Sequence, residues 1–415
     1  MASRSLQEGI YFDQGQTPGR FFGLLFLRAG ENLGAGPVGE ALAGLWRLYQ
    51  GLKRGRVPDL DPVVVPHEED ELSVLLGFGS EAFALSGAKH ARPDALDDDN
   101  LFDPPRPEGG GLVLDGSGLA YAPEVTVNPA AGEFCVQVIA ETKLAVDRTV
   151  VETWKWLTDH ADSQTGAPAL RVTSFFVGAA RADRRSWIDF HDGISNMHSQ
   201  EREGAIVIKQ DVPPDDDWTV GGTYLAFVRL AVDLTAWRTL SRRQQELLVG
   251  RDKLNGCPIT AIAEDGSPVT DPGCPVAGTE IWETPNDPLY AEPLATGDAV
   301  IQASHVQRAN HHQRPASRSS SRRIFRQGYE FLEWTEQAPG FRAGLNFVSF
   351  QDTPERLVQM LINKGWLGQV NFGGDAQTQL PGMASLLSAY ASGVFLVPPR
   401  AAEEGALPGG SLLGL

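Results

Sequence analysis

Cysteine is scarce in this chain. Three in 415 residues, Cys135, Cys257 and Cys274, are too few for a disulfide scaffold. None stands in a C-x-x-C pair, which excludes a zinc knuckle of that spacing and a thioether-linked cofactor. Cys257 and Cys274 share one loop-like stretch; pairing would need an oxidising compartment, and two reduced thiols are the plainer expectation. Positive charge is also short: 35 cationic residues against 53 acidic give a formal charge of −18 and a pI near 4.9. Such a chain repels phosphate backbones at long range, so no nucleic-acid partner is expected. Only seven of the cationic residues are Lys, so most of the positive charge is Arg, the residue suited to carboxylates and oxyanions. Long apolar runs are missing too. The most apolar early run, Phe21 to Leu27, is far too short to span a bilayer, and the first residues carry no leader pattern. A soluble cytoplasmic protein with no membrane partner is the expectation. Gly (45) and Pro (28) recur without period, which excludes a collagen-like chain, and 42% hydrophobic residues suffice for one large core or two ordinary ones.

The periodicities that are present repeat themselves. Residues 20–27, 71–79, 133–141 and 170–180 read as strands, and Pro37 to Lys53 and Leu144 to Leu157 as helices. A long polar excursion covers residues 89–124. The order is βαββαβ. Residues 223–234, 325–331, 344–350 and 393–399 then read as strands, with helices over Ser241 to Gly250 and Pro354 to Lys364, which is βαββαβ again. The fold class expected is α+β: two ferredoxin-like halves, each an antiparallel sheet backed by helices. The boundary falls in the acidic, turn-rich residues 210–221, giving halves at 1–215 and 216–400 and a flexible tail at 401–415.

Two segments stand out against this frame. SWIDFHDGISNMHSQE (186–201) places Asp192 before Gly193, flanked by His191 and His198; by itself the pair reads as a capped turn, and two histidines without a third ligand do not make a zinc site. ASHVQRANHHQRPASRSSSRRIFRQGYEF (303–331) gathers three histidines and many arginines in an otherwise acidic protein, which composition alone reads as a solvated basic loop.

Together, in order, the segments resemble those of the dye-decolourising peroxidases, haem enzymes of two ferredoxin-like halves. The family's G-x-x-D-G corresponds to residues 189–193, with Asp189 where the leading Gly belongs. Its H-x-x-R-A-N corresponds to His305 through Asn310, and its R-I-x-R-R-G to Arg323 through Gly328, with Gln327 replacing the second Arg. Met197, His311 and His312 also depart from positions where proline is common. Residues 221–253, 344–351 and 393–399 extend the similarity across most of the second half, whereas the first half matches mainly by topology.

The resemblance implies a non-covalent haem b, one per chain, held mainly by the C-terminal half. His305 is the implied axial ligand, with His311 and His312 as runners-up, and Arg308 a partner for a propionate. A carboxylate behind the ligand is expected, with Asp375 the candidate by position. Asp192 would shuttle the peroxide proton and Arg326 stabilise the developing charge, yielding a ferryl haem that oxidises small aromatic donors such as dyes and phenols. Trp187, Tyr329 and Trp334 read as core or interface aromatics rather than electron relays. A haem-binding or iron-handling protein with little turnover, and a non-haem interaction protein, are the alternatives. The partners implied are hydrogen peroxide and an organic donor; the resemblance leaves room for a homo-oligomer and for an encapsulating shell engaged by the tail EEGALPGGSLLGL (403–415).

Overall fold

The computed structural model describes residues 5–10, 19–56, 72–96, 119–274, 293, 296–310, 323–362 and 370–415, apart from 182, 184, 195, 196 and 198. The first half runs β1 (Phe21–Ala29), α1 (Ala35–Lys53), β2 (Ser73–Phe78), β3 (Phe134–Ala140), α2 (Lys143–Asp159) and β4 (Leu170–Ala179). A short α3 (Ser199–Ile206) bridges to the second half. That half runs β5 (Thr223–Val232), α4 (Leu234–Thr239), α5 (Arg242–Val249), a small hairpin of β6 (Ile259–Ile262) and β7 (Pro268–Thr270), α6 (Ala299–Gln302), α7 (His305–Asn310), β8 (Phe325–Trp334), β9 (Phe341–Gln351), α8 (Glu355–Ile362) and β10 (Leu387–Val397).

Each half is a four-stranded antiparallel sheet with the same internal order, β4-β1-β3-β2 and β10-β5-β9-β8. The two sheets join edge to edge into one closed eight-stranded barrel. Closure removes the open edges that two separate sheets would expose. The seams are slight: Leu396 pairs with Phe78, and Ala179 with Glu330. Strand alternation decides the two faces. Phe22, Leu24, Phe26, Phe227, Phe325, Tyr329, Phe350 and Phe395 point inward from both halves and form one shared core. Outside the first sheet, α1 and α2 pack through Leu42, Leu45, Tyr49, Val146 and Leu157. The outer face of the second sheet carries Val228, Leu230 and Val232, and it is there that a cavity opens.

Two expectations need correction. Residues 401–415 do not hang free: Leu412 and Leu413 are buried against α1, and Lys89 N–H donates to the Leu412 carbonyl. The tail's leucines find an apolar surface, which outweighs the glycines around them. Cys257 and Cys274 are joined in a disulfide closing the loop that contains the β6–β7 hairpin, and Cys135 is buried in the barrel.

Candidate active site

The cavity measures about 290 Å³ and lies between the outer face of the second sheet, the loop of residues 186–194, α7 and α8. Its walls are mostly apolar, with Val228, Leu345, Phe347, Leu357 and Met360 among them. A few polar groups converge on it: His305, Asp192, Arg251, Arg323, Arg326 and Glu330. Apolar walls with few placed polar groups are the usual form of a small-molecule site.

His305 opens α7, held close by two bare backbones. A Cβ on Gly373 would lie 2.8 Å from the His305 nitrogen, and one on Gly250, at φ +88°, only 2.4 Å from Ser304 Oγ. The ring stacks on Phe372 at 4.2 Å, and Nδ1–H donates to the Phe372 carbonyl over 2.7 Å. A carbonyl can only accept, so Nδ1 carries the proton and Nε2 keeps its lone pair. Desolvation pushes the His305 pKa down to about 4; the Phe372 bond resists, while Arg326 and Arg251 lower it further. The imidazole is therefore neutral near pH 7, as a metal ligand must be.

Asp192 is carried by a pinned loop. Arg185 donates to the carbonyls of Asp189, Lys253 and Leu254, and Trp187 Nε1–H donates to the Phe331 carbonyl on β8. Asp189 sits at φ +67°, the left-handed region that glycine prefers and aspartate tolerates, which accounts for the Gly-to-Asp change in the motif. Gly193 N–H donates to Asp192 Oδ1. Oδ2 lies against Gly328, where a Cβ would approach within 2.7 Å. One step back along the same face of β8, Arg326 donates from Nη2 to the Ile194 carbonyl, tying strand to loop. Burial lowers the Arg326 pKa, while the charge of Asp192 supports the cation.

The structure thus brings His305, Asp192 and Arg326 to one cavity, but not Arg308. That side chain donates to the carbonyls of Ala303 and Gly374 and is not among the lining residues; Arg251 and Arg323 line the cavity instead. Arg308 therefore braces the His305 turn. Asp375 is not behind His305 either. It accepts from Gln377 N–H and Thr378 Oγ1, its charge falls on Arg308, and the Phe372 carbonyl takes the place expected for a carboxylate. His198, His311, His312 and the Ser-rich residues 317–321 lie outside the described residues. Among those described, no group of three or more His, Cys, Asp or Glu could hold a bare metal ion. Sequence reasoning missed Arg251 and Glu330. Glu330 was open to discovery, because alternation from Arg326 on a strand puts residues 326, 328 and 330 on one face.

Comparison with known proteins follows the same lines. The family described as Dyp-type peroxidase, C-terminal, matches residues 183–402. The dye-decolorizing peroxidase of Thermobifida fusca is 26% identical over 287 residues, 68% of this chain and 56% of that protein. A deferrochelatase of Escherichia coli O6:K15:H31 is 24% identical over 172 residues, 41% of this chain and 35% of its own length. The aligned part thus spans about half or less of these relatives. Among solved structures, a DyP-type peroxidase from Cellulomonas bogoriensis superposes with a TM-score of 0.64 at 21% identity, covering 98% of this chain and 97% of the other. A DypB variant from Rhodococcus jostii in complex with heme gives 0.57 at 17% identity, covering 95% and 96%. At these identities the structural likeness speaks to the fold, which is the same duplicated arrangement.

Proposed function

Because this chain belongs to the Dyp-type peroxidase family, we propose that it binds one haem b per chain non-covalently and reduces hydrogen peroxide with organic one-electron donors, dyes and phenols among them. The observation that carries this reading is the neutral His305 imidazole, Nε2 lone pair unused, in one apolar cavity with Asp192 and Arg326. The donor set fits the group. The imidazole suits iron, the apolar walls suit a porphyrin, and Arg251 and Arg323 suit its anionic edge. No cysteine lines the cavity, and two of the three are joined to each other, so a thioether link has no donor.

When bound, haem iron supplies a Lewis-acid centre and a store of oxidising equivalents. The chain supplies the proton chemistry. The Asp192 carboxylate takes one proton from hydrogen peroxide and returns it to the oxygen that leaves as water, a role for which positioned acid–base groups contribute roughly 10²–10⁴-fold. Arg326 holds a fixed positive charge where negative charge grows on that oxygen, without reorganising at the moment of reaction. The Ile194 carbonyl fixes the guanidinium, and the arm of Asp192 is fixed by Arg185. Protein reconstituted with haem should consume peroxide in proportion to donor oxidised. In Arg326→Leu this should fall by a factor of about 10² or more, with haem uptake retained; an unchanged rate removes Arg326 from the chemistry.

The second reading, a haem- or iron-handling protein, has one observation of its own: His305 bonds to a neutral carbonyl, which lends the ligand less basicity than a carboxylate would. Release of iron or haem in place of donor-coupled peroxide consumption would select it. No haem uptake at all would select the interaction protein. No helix among the described residues is long and apolar enough to cross a membrane. A cytoplasmic location completes the reading; it requires the Cys257–Cys274 bond to withstand cellular thiols, which thiol counting on protein taken directly from cells decides. A shell partner engaging the tail would have to lift Leu412 and Leu413 from α1.

A further inference from the structure

We infer that Glu330 is the proton store of this cavity, a carboxylic acid beside Asp192 that replenishes it with the protons peroxide reduction consumes. The inference rests on the peroxidase reading and adds a positioning residue to it. The geometry begins with β8. Phe325, Gln327 and Tyr329 face the barrel interior and are buried, so Arg326, Gly328 and Glu330 face the cavity at intervals of roughly 6.6 Å. Gly328 has no side chain, and the Asp192 carboxylate occupies the space it leaves. One strand face therefore presents a guanidinium, then the Asp192 carboxylate, then the Glu330 carboxyl, in that order.

Glu330 also stands at the seam of the barrel, where it pairs with Ala179 of β4. The groups around it are few. The Asp192 charge acts on it from the loop of residues 186–194, the Trp187 main chain lies on the side that favours its ionised form, and Arg181 acts on it from just past β4. Arg326 shares its strand face, and its partner on β9 is the apolar Leu345. Arg181 is itself bound to Asp183 through two hydrogen bonds of 2.9 and 2.6 Å at the exposed surface. Burial and the neighbouring Asp192 push the Glu330 carboxyl up to about 8, with the Trp187 main chain and Arg181 pulling the other way. At neutral pH it carries its proton.

The stoichiometry gives that proton a use. Reducing one hydrogen peroxide to two waters takes two electrons, from two one-electron oxidations of the organic donor, and two protons beyond those the peroxide brings. Asp192 can recycle a peroxide proton but cannot create the additional two. Glu330 gives its proton to the Asp192 carboxylate, becomes a carboxylate itself, and is reprotonated from solvent. Each pass moves one proton inward, and two passes balance the cycle.

The test compares haem-loaded wild type, Glu330→Gln and Glu330→Asp by two readouts: the infrared band of a protonated carboxyl followed across pH, and the pH profile of peroxide consumption. The proposal expects a wild-type band that titrates near pH 8 and is missing in Glu330→Gln. It expects wild-type turnover to decline as pH rises through that value, Glu330→Gln to turn over about tenfold more slowly at neutral pH, and Glu330→Asp to recover part of the rate with its decline displaced. Glu330→Gln with the wild-type rate and profile would overturn it, as would a wild-type band unaffected by the substitution. If Glu330→Gln does not fold, an undisplaced profile in Glu330→Asp overturns it equally. Haem-loaded wild type that consumes no peroxide, with the band intact, overturns the peroxidase reading instead and leaves Glu330 a part-buried acid with nothing to feed.

Discussion

Gly328→Ala is the substitution that separates the placing of Asp192 from folding and from cofactor uptake. A methyl group at this position would stand 2.7 Å from Asp192 Oδ2 and 3.1 Å from Leu345 Cδ1, where ordinary contact begins at 3.4 Å. The carboxylate must then withdraw by about 0.7 Å, and it can do so cheaply, because it is the end of a short side chain on an exposed loop residue. Gly328 has no positive φ to protect, so stability should change by no more than about 1 kcal/mol. Activity is far more sensitive, since a misplacement approaching 1 Å costs up to about 10²-fold, or roughly 2.7 kcal/mol in the barrier. His305 lies on α7, Arg251 follows α5, and Arg323 stands ahead of β8 away from the Asp192 contact, so the expected affinity for haem is that of the wild type. Three measurements on one preparation decide: thermal unfolding, haem titration and peroxide turnover. Turnover should fall roughly 10- to 100-fold while the other two stay put. Wild-type turnover in Gly328→Ala, or a loss that merely follows a loss of haem, would refute the reasoning.

Three other outcomes are expected. Replacing Cys257 and Cys274 by serine releases a loop of 17 residues' separation and should cost up to about 3 kcal/mol, read as a lower Tm matched by adding reductant to wild type. Because Arg251 donates to the Gly256 carbonyl beside that disulfide, haem affinity should weaken as well; equal Tm and affinity would show the bond idle. Deleting residues 401–415 strips Leu412 and Leu413 from α1 and should lower stability by roughly 3 kcal/mol or more, whereas a free tail would leave Tm unmoved. Glu330 binds its proton more tightly folded than unfolded, so wild type should lose stability relative to Glu330→Gln as pH rises from about 5 to about 8, by on the order of 1–3 kcal/mol since the carboxyl is only part-buried. Parallel stability curves for the two proteins would contradict that assignment.

Much of the fold was legible because its strands are apolar and its helices periodic. All eight barrel strands and four principal helices lie near where residue patterns place them. β10 is the instructive exception. It begins at Leu387, well before the apolar residues 393–399, because Ser388 and Ser392 carry no hydrophobic signal while pairing with Ala231 and Val228 of β5 holds them. Closure of the barrel was not legible at all, since its seams are single long-range pairs that no local pattern announces. At the site, motif order located Asp192, His305 and Arg326, which the fold does bring together. The same motif misdirected the reading of Arg308, three residues on from His305, because a helical turn points it at main-chain carbonyls rather than into the cavity. The proximal acceptor was invisible for a simpler reason: it is the backbone of Phe372, and any residue supplies a carbonyl. Asp189 shows the reverse, a departure from the motif that its left-handed φ explains.

The central claim is that His305 is the ligand of a bound haem. It is tested most directly by titrating haem into wild type and His305→Ala and following the Soret absorption. The account predicts that wild type saturates at one haem per chain with the spectrum of histidine-ligated iron, and that the variant loses that spectrum. Identical spectra from the two proteins, or a wild type that takes up no haem, would contradict it.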